Sequence, residues 1–184
     1  MAKAILAGTM PGYSLDIANP TPTDLAEHML WAGDAEIVRV CLPHTPRPRD
    51  DPWWNYVLVH AALPECFKLI LDQGVDPNGR GGDGYTILHH LASDYGHALN
   101  ERVLRATMLL DAGASLTKRD PLLQSTPLGW ACRWGRIELV RLYLERGADA
   151  LEADAERWAT PLAWATKRGH HEIAQLLRPA GAGA

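Results

Sequence analysis

The chain is poor in the features that announce chemistry or a membrane. Its 3 cysteines, Cys41, Cys66 and Cys132, lie far apart in apolar, helix-like surroundings, without the paired spacing that zinc or redox chemistry needs. They read as reduced core thiols. No run approaches the roughly 18 to 20 apolar residues needed to cross a bilayer. The opening "MAKAILAGTMPG" is interrupted by Thr9 and Pro11 before it reaches secretory length. The expected compartment is therefore the cytoplasm, with no membrane partner. An excess of positive charge is also missing: 18 Lys+Arg stand against 22 Asp+Glu, a net charge of -4. That balance points away from nucleic acid and toward protein partners. The chain has no phosphate-cradling glycine loop, no serine in a nucleophile elbow and no helix with paired histidines and a glutamate. The expectation is a non-enzyme without cofactor or metal.

What the chain does have is repetition. Thr126-Pro127-Leu128 recurs as Thr160-Pro161-Leu162, and the same offset of 34 residues links Trp130 to Trp164, Gly135 to Gly169, Glu138 to Glu172 and Leu142 to Leu176. In the copy from 125 to 149, Thr126 caps a first helix and Pro127 fits its first position, where a missing N–H costs nothing. Gly135 stops that helix near Trp134. A second helix from about Ile137 to Arg146 groups Leu139, Val140, Leu142, Tyr143 and Leu144 on one wide apolar face, and Gly147 supplies the left-handed residue that ends it. Helices of about ten residues are marginal alone and gain their stability from packing. The copies must therefore stack.

A period of 33 to 34 residues, with threonine-proline-leucine opening the first helix and glycine-alanine-aspartate closing the second, resembles the ankyrin repeat. The resemblance implies an all-α solenoid of stacked helix-turn-helix units with projecting finger loops. Repeats are expected at about 23–50, 51–80, 81–117, 118–151 and 152–184, after a segment 1–22 without clear pattern. Upstream copies are worn. "GYTILHHLA" has Ile87 in place of proline, and about six extra residues near "SDYGHALNE" read as an enlarged loop. Asp51 and Pro52 open the copy that closes at Gly74, and at least one of Trp53 and Trp54 belongs in its core. In the first copy Asp24 and Glu27 read as a capping box, and Pro43 to Pro52 as an extended loop.

Partners of the family usually meet the finger tips and the exposed end of the first helix. Carried over by position, these places are Asp83, Tyr85 and Asp94, with Gly82; Leu122, Leu123, Ser125, Arg133 and Trp134; and Arg157, Trp158, Lys167 and Arg168, with Ala159. Gln124 and Trp158 stand where a glycine is usual, which leaves the last two fingers open in form. Trp134 beside Arg133, facing Trp158 beside Arg157, makes a candidate hot spot; the alternative is that both tryptophans cover neighbouring layers. Trp130 and Trp164 share one repeat position and are expected between layers.

His89 and His170 match structural positions of the family. His90 and Asp94, four apart, are too few for a zinc site without a third ligand, so an enzyme using His90, Asp94 and His97 ranks last. Asp120, Glu145, Asp149, Glu152, Asp154 and Glu156 read as solvated carboxylates, and Lys118, Arg119, Arg133, Arg136 and Arg141 as a solvated helix surface. The leading expectation is a monomeric protein-interaction module. The second is a regulatory or structural ankyrin portion of a larger protein.

Overall fold

A computed structural model describes residues 35–42, 45, 47–93 and 99–178. The proposed capping box at Asp24 and Glu27, together with Asp94 and His97, lies outside them. Among the described residues regular structure is entirely helical, with one isolated antiparallel bridge, Arg80 to Thr86. The chain divides into two compact units, 1–76 and 77–184.

In the first unit α1 (Ala35–Cys41) packs on α3 (Pro64–Leu71), and α2 (Trp53–His60) precedes α3. The Asp51 carboxylate accepts from the Trp53 N–H at 2.8 Å, an N-terminal cap that also holds its pKa below the usual carboxylate range. Trp54 is buried with its indole N–H donated to the Pro48 carbonyl at 2.8 Å. Gly74 ends the copy with φ 77.

Among its described residues the second unit holds three helix pairs: α4 (Ile87–Ala92) with α5 (Leu99–Asp111), α6 (Pro127–Arg133) with α7 (Ile137–Glu145), and α8 (Pro161–Lys167) with α9 (His171–Leu177). First helices pack on first helices, α4 on α6 and α6 on α8, and second on second, α5 on α7 and α7 on α9. The layers beginning at Thr126 and Thr160 therefore touch. Thr126 and Thr160 accept from the N–H groups of Gly129 and Ala163 at 3.3 and 3.2 Å, and each proline follows at the first helical position. Gly135, Gly147 and Gly169 take the left-handed turn with φ 68, 87 and 74.

The apolar face of α7 is buried at Leu139, Val140, Leu142 and Tyr143, with Leu144 at its margin. Burying such a side chain contributes roughly 1.5–3 kcal/mol. The middle helix α6 is buried from Pro127 through Cys132, because layers cover it on two sides and its own partner helix on a third. Cys66 and Cys132 are free and buried, and burial raises the Cys132 thiol pKa, as befits an inert core thiol.

Of the stretch expected as an enlarged loop, 94–98 lie outside the described residues and the end is helical. Leu99, Asn100 and Glu101 are already helical, and α5 runs 13 residues where α7 runs 9. Much of the insertion lengthens a second helix.

Candidate functional site

Each finger is organised by a different device. In the finger before α4, the Gly81 N–H donates to the Tyr85 carbonyl at 3.0 Å, and Gly84 turns with φ 80. Asp83 sits at the tip and accepts from the Tyr85 N–H at 3.0 Å. In the next finger Gln124 takes the left-handed conformation itself, φ 52, doing the work of the absent glycine. The last finger has no left-handed residue at Trp158. It turns instead at Glu152, φ 42, and closes through Ala155 N–H to Glu152 and Ala159 N–H to Glu156 carbonyls at 2.8 and 2.7 Å.

Two carboxylates read as solvated are in fact buried. Asp120 accepts from the backbone N–H groups of Leu122, Leu123 and Ser125 at 2.9, 2.6 and 2.9 Å, and from the Trp130 indole N–H at 2.9 Å. One side chain thus shapes the finger and ties it to α6. Glu152 is held by Arg119 at 2.9 Å and by the Thr126 hydroxyl; burial raises its pKa against the pull of those partners. Three basic residues of this copy, Arg119, Arg136 and Arg141, likewise have partners within the protein. Arg119 also pairs with Asp154 and Arg141 with Glu172, both at 2.9 Å, and Arg136 donates to the Ala92 and Ser93 carbonyls at 3.4 Å.

The tryptophans at the shared repeat position are buried between layers as expected, Trp164 giving its indole N–H to Ser125 Oγ at 2.8 Å. That contact overturns one reading. Ser125, expected at the surface, is wholly buried, its N–H on Asp120 and its hydroxyl under Trp164. His89 plays the structural part expected of it: Nδ1 accepts from the Thr86 N–H at 3.3 Å, and Nε2 faces the Ser125 carbonyl at 3.2 Å. Burial lowers its pKa to about 4. His170 packs over Gly135 and reaches the Arg133 carbonyl at 3.3 Å.

Between the first finger of this unit and the ends of α4 and α6 lies a cleft of about 420 Å³, lined by Asp83, Tyr85, His89, His90, Ser93, Trp130 and Trp134. Tyr85 lies 4.9 Å from Trp130 and 5.8 Å edge-on from His90. Burial, then the charges of Asp120 and Asp83, raise the Tyr85 pKa, so its hydroxyl stays protonated. His90 pairs with Asp83 at 3.4 Å when protonated, a partner seven residues earlier that the helical spacing does not reveal.

Three expected residues, Asp83, Tyr85 and Trp134, thus converge on the cleft. Leu122, Arg157, Lys167 and Arg168 are exposed elsewhere on the unit, and Leu123 partly so. Trp134 does not meet Trp158 ring to ring. It lines the cleft, while Trp158 stands edge-on to Trp164 at 5.9 Å. Arg133 bridges the two regions, 5.9 Å over Trp134 and 4.5 Å over Trp164.

Ser93 donates its hydroxyl to the His90 carbonyl at 2.7 Å, and His89 spends both ring nitrogens on the scaffold. Among the described residues no group of three His, Cys, Asp or Glu is placed to hold a metal ion, and no helix is long and apolar enough to cross a membrane.

A family model described as ankyrin repeats (3 copies) matches residues 98–183. The search of curated proteins returned no match.

Proposed function

From a chain whose residues 98–183 are ankyrin repeats, a family whose repeats generally serve protein interaction, we propose a non-catalytic binding module. A partner protein docks along the first-helix side and the finger tips of the unit 77–184. The observation that carries this reading is the aromatic cleft beside α4 and α6. Trp134, 36% exposed, lines it together with Tyr85, and large amphipathic rings in a partly desolvated pocket are what interaction hot spots are made of. Leu122 and Trp158 add exposed apolar area at 73% and 51%. The stacked layers hold these groups in place beforehand, so little conformational entropy is lost on docking.

The test compares wild type with Tyr85→Ala/Trp134→Ala as bait in extracts of the source cells. The double variant is expected to lose its specific partner while its circular dichroism and melting stay close to wild type. A folded double variant that retains every partner rejects the cleft as the docking site.

A further inference from the structure

We propose that the partner presents an acidic peptide segment, its carboxylates lying over Arg133, Lys167 and Arg168 and an adjoining apolar side chain entering the cleft. This deepens the binding reading above and rests on it.

The basis is an uneven distribution of ion pairs in the unit 77–184. Arg119, Arg141 and Arg146 are each matched to a carboxylate, at 2.9, 2.9 and 2.7 Å. Arg133, Lys167 and Arg168 pair with no carboxylate of the described residues, yet they converge. The Arg133 guanidinium lies 4.5 Å and the Lys167 ammonium 5.5 Å from the same Trp164 ring. Arg168 is close enough that its charge, after burial, lowers the Arg133 pKa. Arg133 Nε is buried without a hydrogen-bond partner.

A cation at a helix C-terminus is ordinary, since it meets the negative end of the helix dipole, and Arg133, Lys167 and Arg168 do close α6 and α8. That accounts for one cation at each end. It does not account for crowding two of them onto one indole beside a third that repels them. The Asp120 charge offsets only part of this, since burial and Arg168 still lower the Arg133 pKa; like charges so held are relieved by a further anion, and Arg prefers a carboxylate in a planar fork.

The flanks suit a short segment. Trp134 and Trp158 stand exposed near the buried Trp164, Trp158 edge-on to it at 5.9 Å, and Arg133 reaches both Trp164 and the cleft residue Trp134. A long polyanion fits poorly, because the finger that bears Trp158 also bears exposed Asp154 and Glu156, and the chain as a whole carries -4. Long-range attraction of nucleic acid needs a broad positive field.

The experiment pans a displayed random peptide library on the purified full chain, then measures synthetic enriched peptides by fluorescence polarisation. Affinities are taken at about 50 and about 300 mM NaCl, for wild type, Lys167→Glu/Arg168→Glu and Tyr85→Ala/Trp134→Ala. Lys167 and Arg168 are exposed, so their reversal leaves the core intact. Enriched peptides are expected to carry clustered Asp or Glu beside an apolar residue. Their binding is expected to weaken about tenfold or more on charge reversal and to fall with salt.

Neutral or basic peptides, or acidic ones that bind the charge-reversed chain as tightly, overturn the proposal. A labelled single-stranded oligonucleotide that binds more tightly than any acidic peptide also overturns it. Peptides without acidic bias that are lost in Tyr85→Ala/Trp134→Ala remove the acidic segment alone and leave the cleft reading standing. No enriched peptide, or peptides indifferent to both double variants, remove both.

Discussion

Asp120 concentrates more structural consequence than any other carboxylate of the second unit. Four N–H donors converge on it, two of them, from Ser125 and Trp130, fully buried. Removing the acceptor leaves those donors without water, and the cost of orphaned buried donors outweighs the small net gain of each bond. Asp120→Ala is expected to lower unfolding free energy by about 3 kcal/mol in urea titrations. A loss below about 1 kcal/mol would show that the finger rearranges to satisfy them otherwise. His89 adds a dependence on pH. Its folded pKa of about 4 lies below the ordinary 6.5, so between these values the unfolded chain binds the extra proton and the folded chain does not. Stability from this residue is whole above pH 6.5 and drains away as pH falls toward 4, by up to roughly 3 kcal/mol. Protonating Nδ1 also sets its hydrogen against the Thr86 N–H it now accepts. Denaturation at pH 7 and pH 5 is expected to show a steeper decline for wild type than for His89→Gln; parallel declines contradict the assignment.

The helix pair derives its shape from a few backbone positions. Gly135 turns α6 into α7 with φ 68, and a Cβ built there would stand 2.6 Å from His170 Cε1 of the next layer. Left-handed strain and a cross-layer clash act together, so Gly135→Ala is expected to cost about 2 kcal/mol or more, read as a lowered melting temperature. Gly147 has φ 87 but open space around it, and Gly147→Ala is expected to cost only the conformational part, about 1 kcal/mol. Equal losses in the two variants would mean that His170 simply moves aside. The fingers follow a looser rule. Gln124 accepts the left-handed turn that Gly84 makes freely, whereas Trp158 refuses it and the chain turns six residues earlier at Glu152. Bulk at Trp158 thus redirected the loop and left the ring exposed.

At the largest scale, the layers within 77–184 support one another in sequence order. Within 77–184 the main helix contacts of α6 and α7 are with an adjacent layer or with their own partner helix, the nearest-neighbour pattern of a repeat array. Such a unit carries its own core. A fragment of residues 77–184 is therefore expected to fold alone, with helical circular dichroism and a single cooperative melt. A fragment that stays unfolded would show that this core needs residues before Pro77.

Much of this architecture was readable from the amino-acid order alone. The 34-residue spacing, the caps at Thr126 and Thr160, the glycine turns and the layer position of Trp130 and Trp164 follow from local backbone preference and apolar periodicity, which act between near neighbours in the chain. The candidate site is legible only in outline: the repeat positions point to Asp83, Tyr85 and Trp134 but not to the one cleft they share, and they point Ser125 to the surface although it is buried. The burial of Asp120 and Glu152, the pairing of His90 with Asp83 and the gathering of Arg133 and Lys167 on one indole depend on contacts between fingers and layers. Partners separated by as many as 55 residues meet there, Tyr143 and the Leu88 carbonyl, and no local pattern encodes which of several carboxylates will be covered. Stacking decides that, because a charge is buried only where another layer supplies the donors that make its burial tolerable.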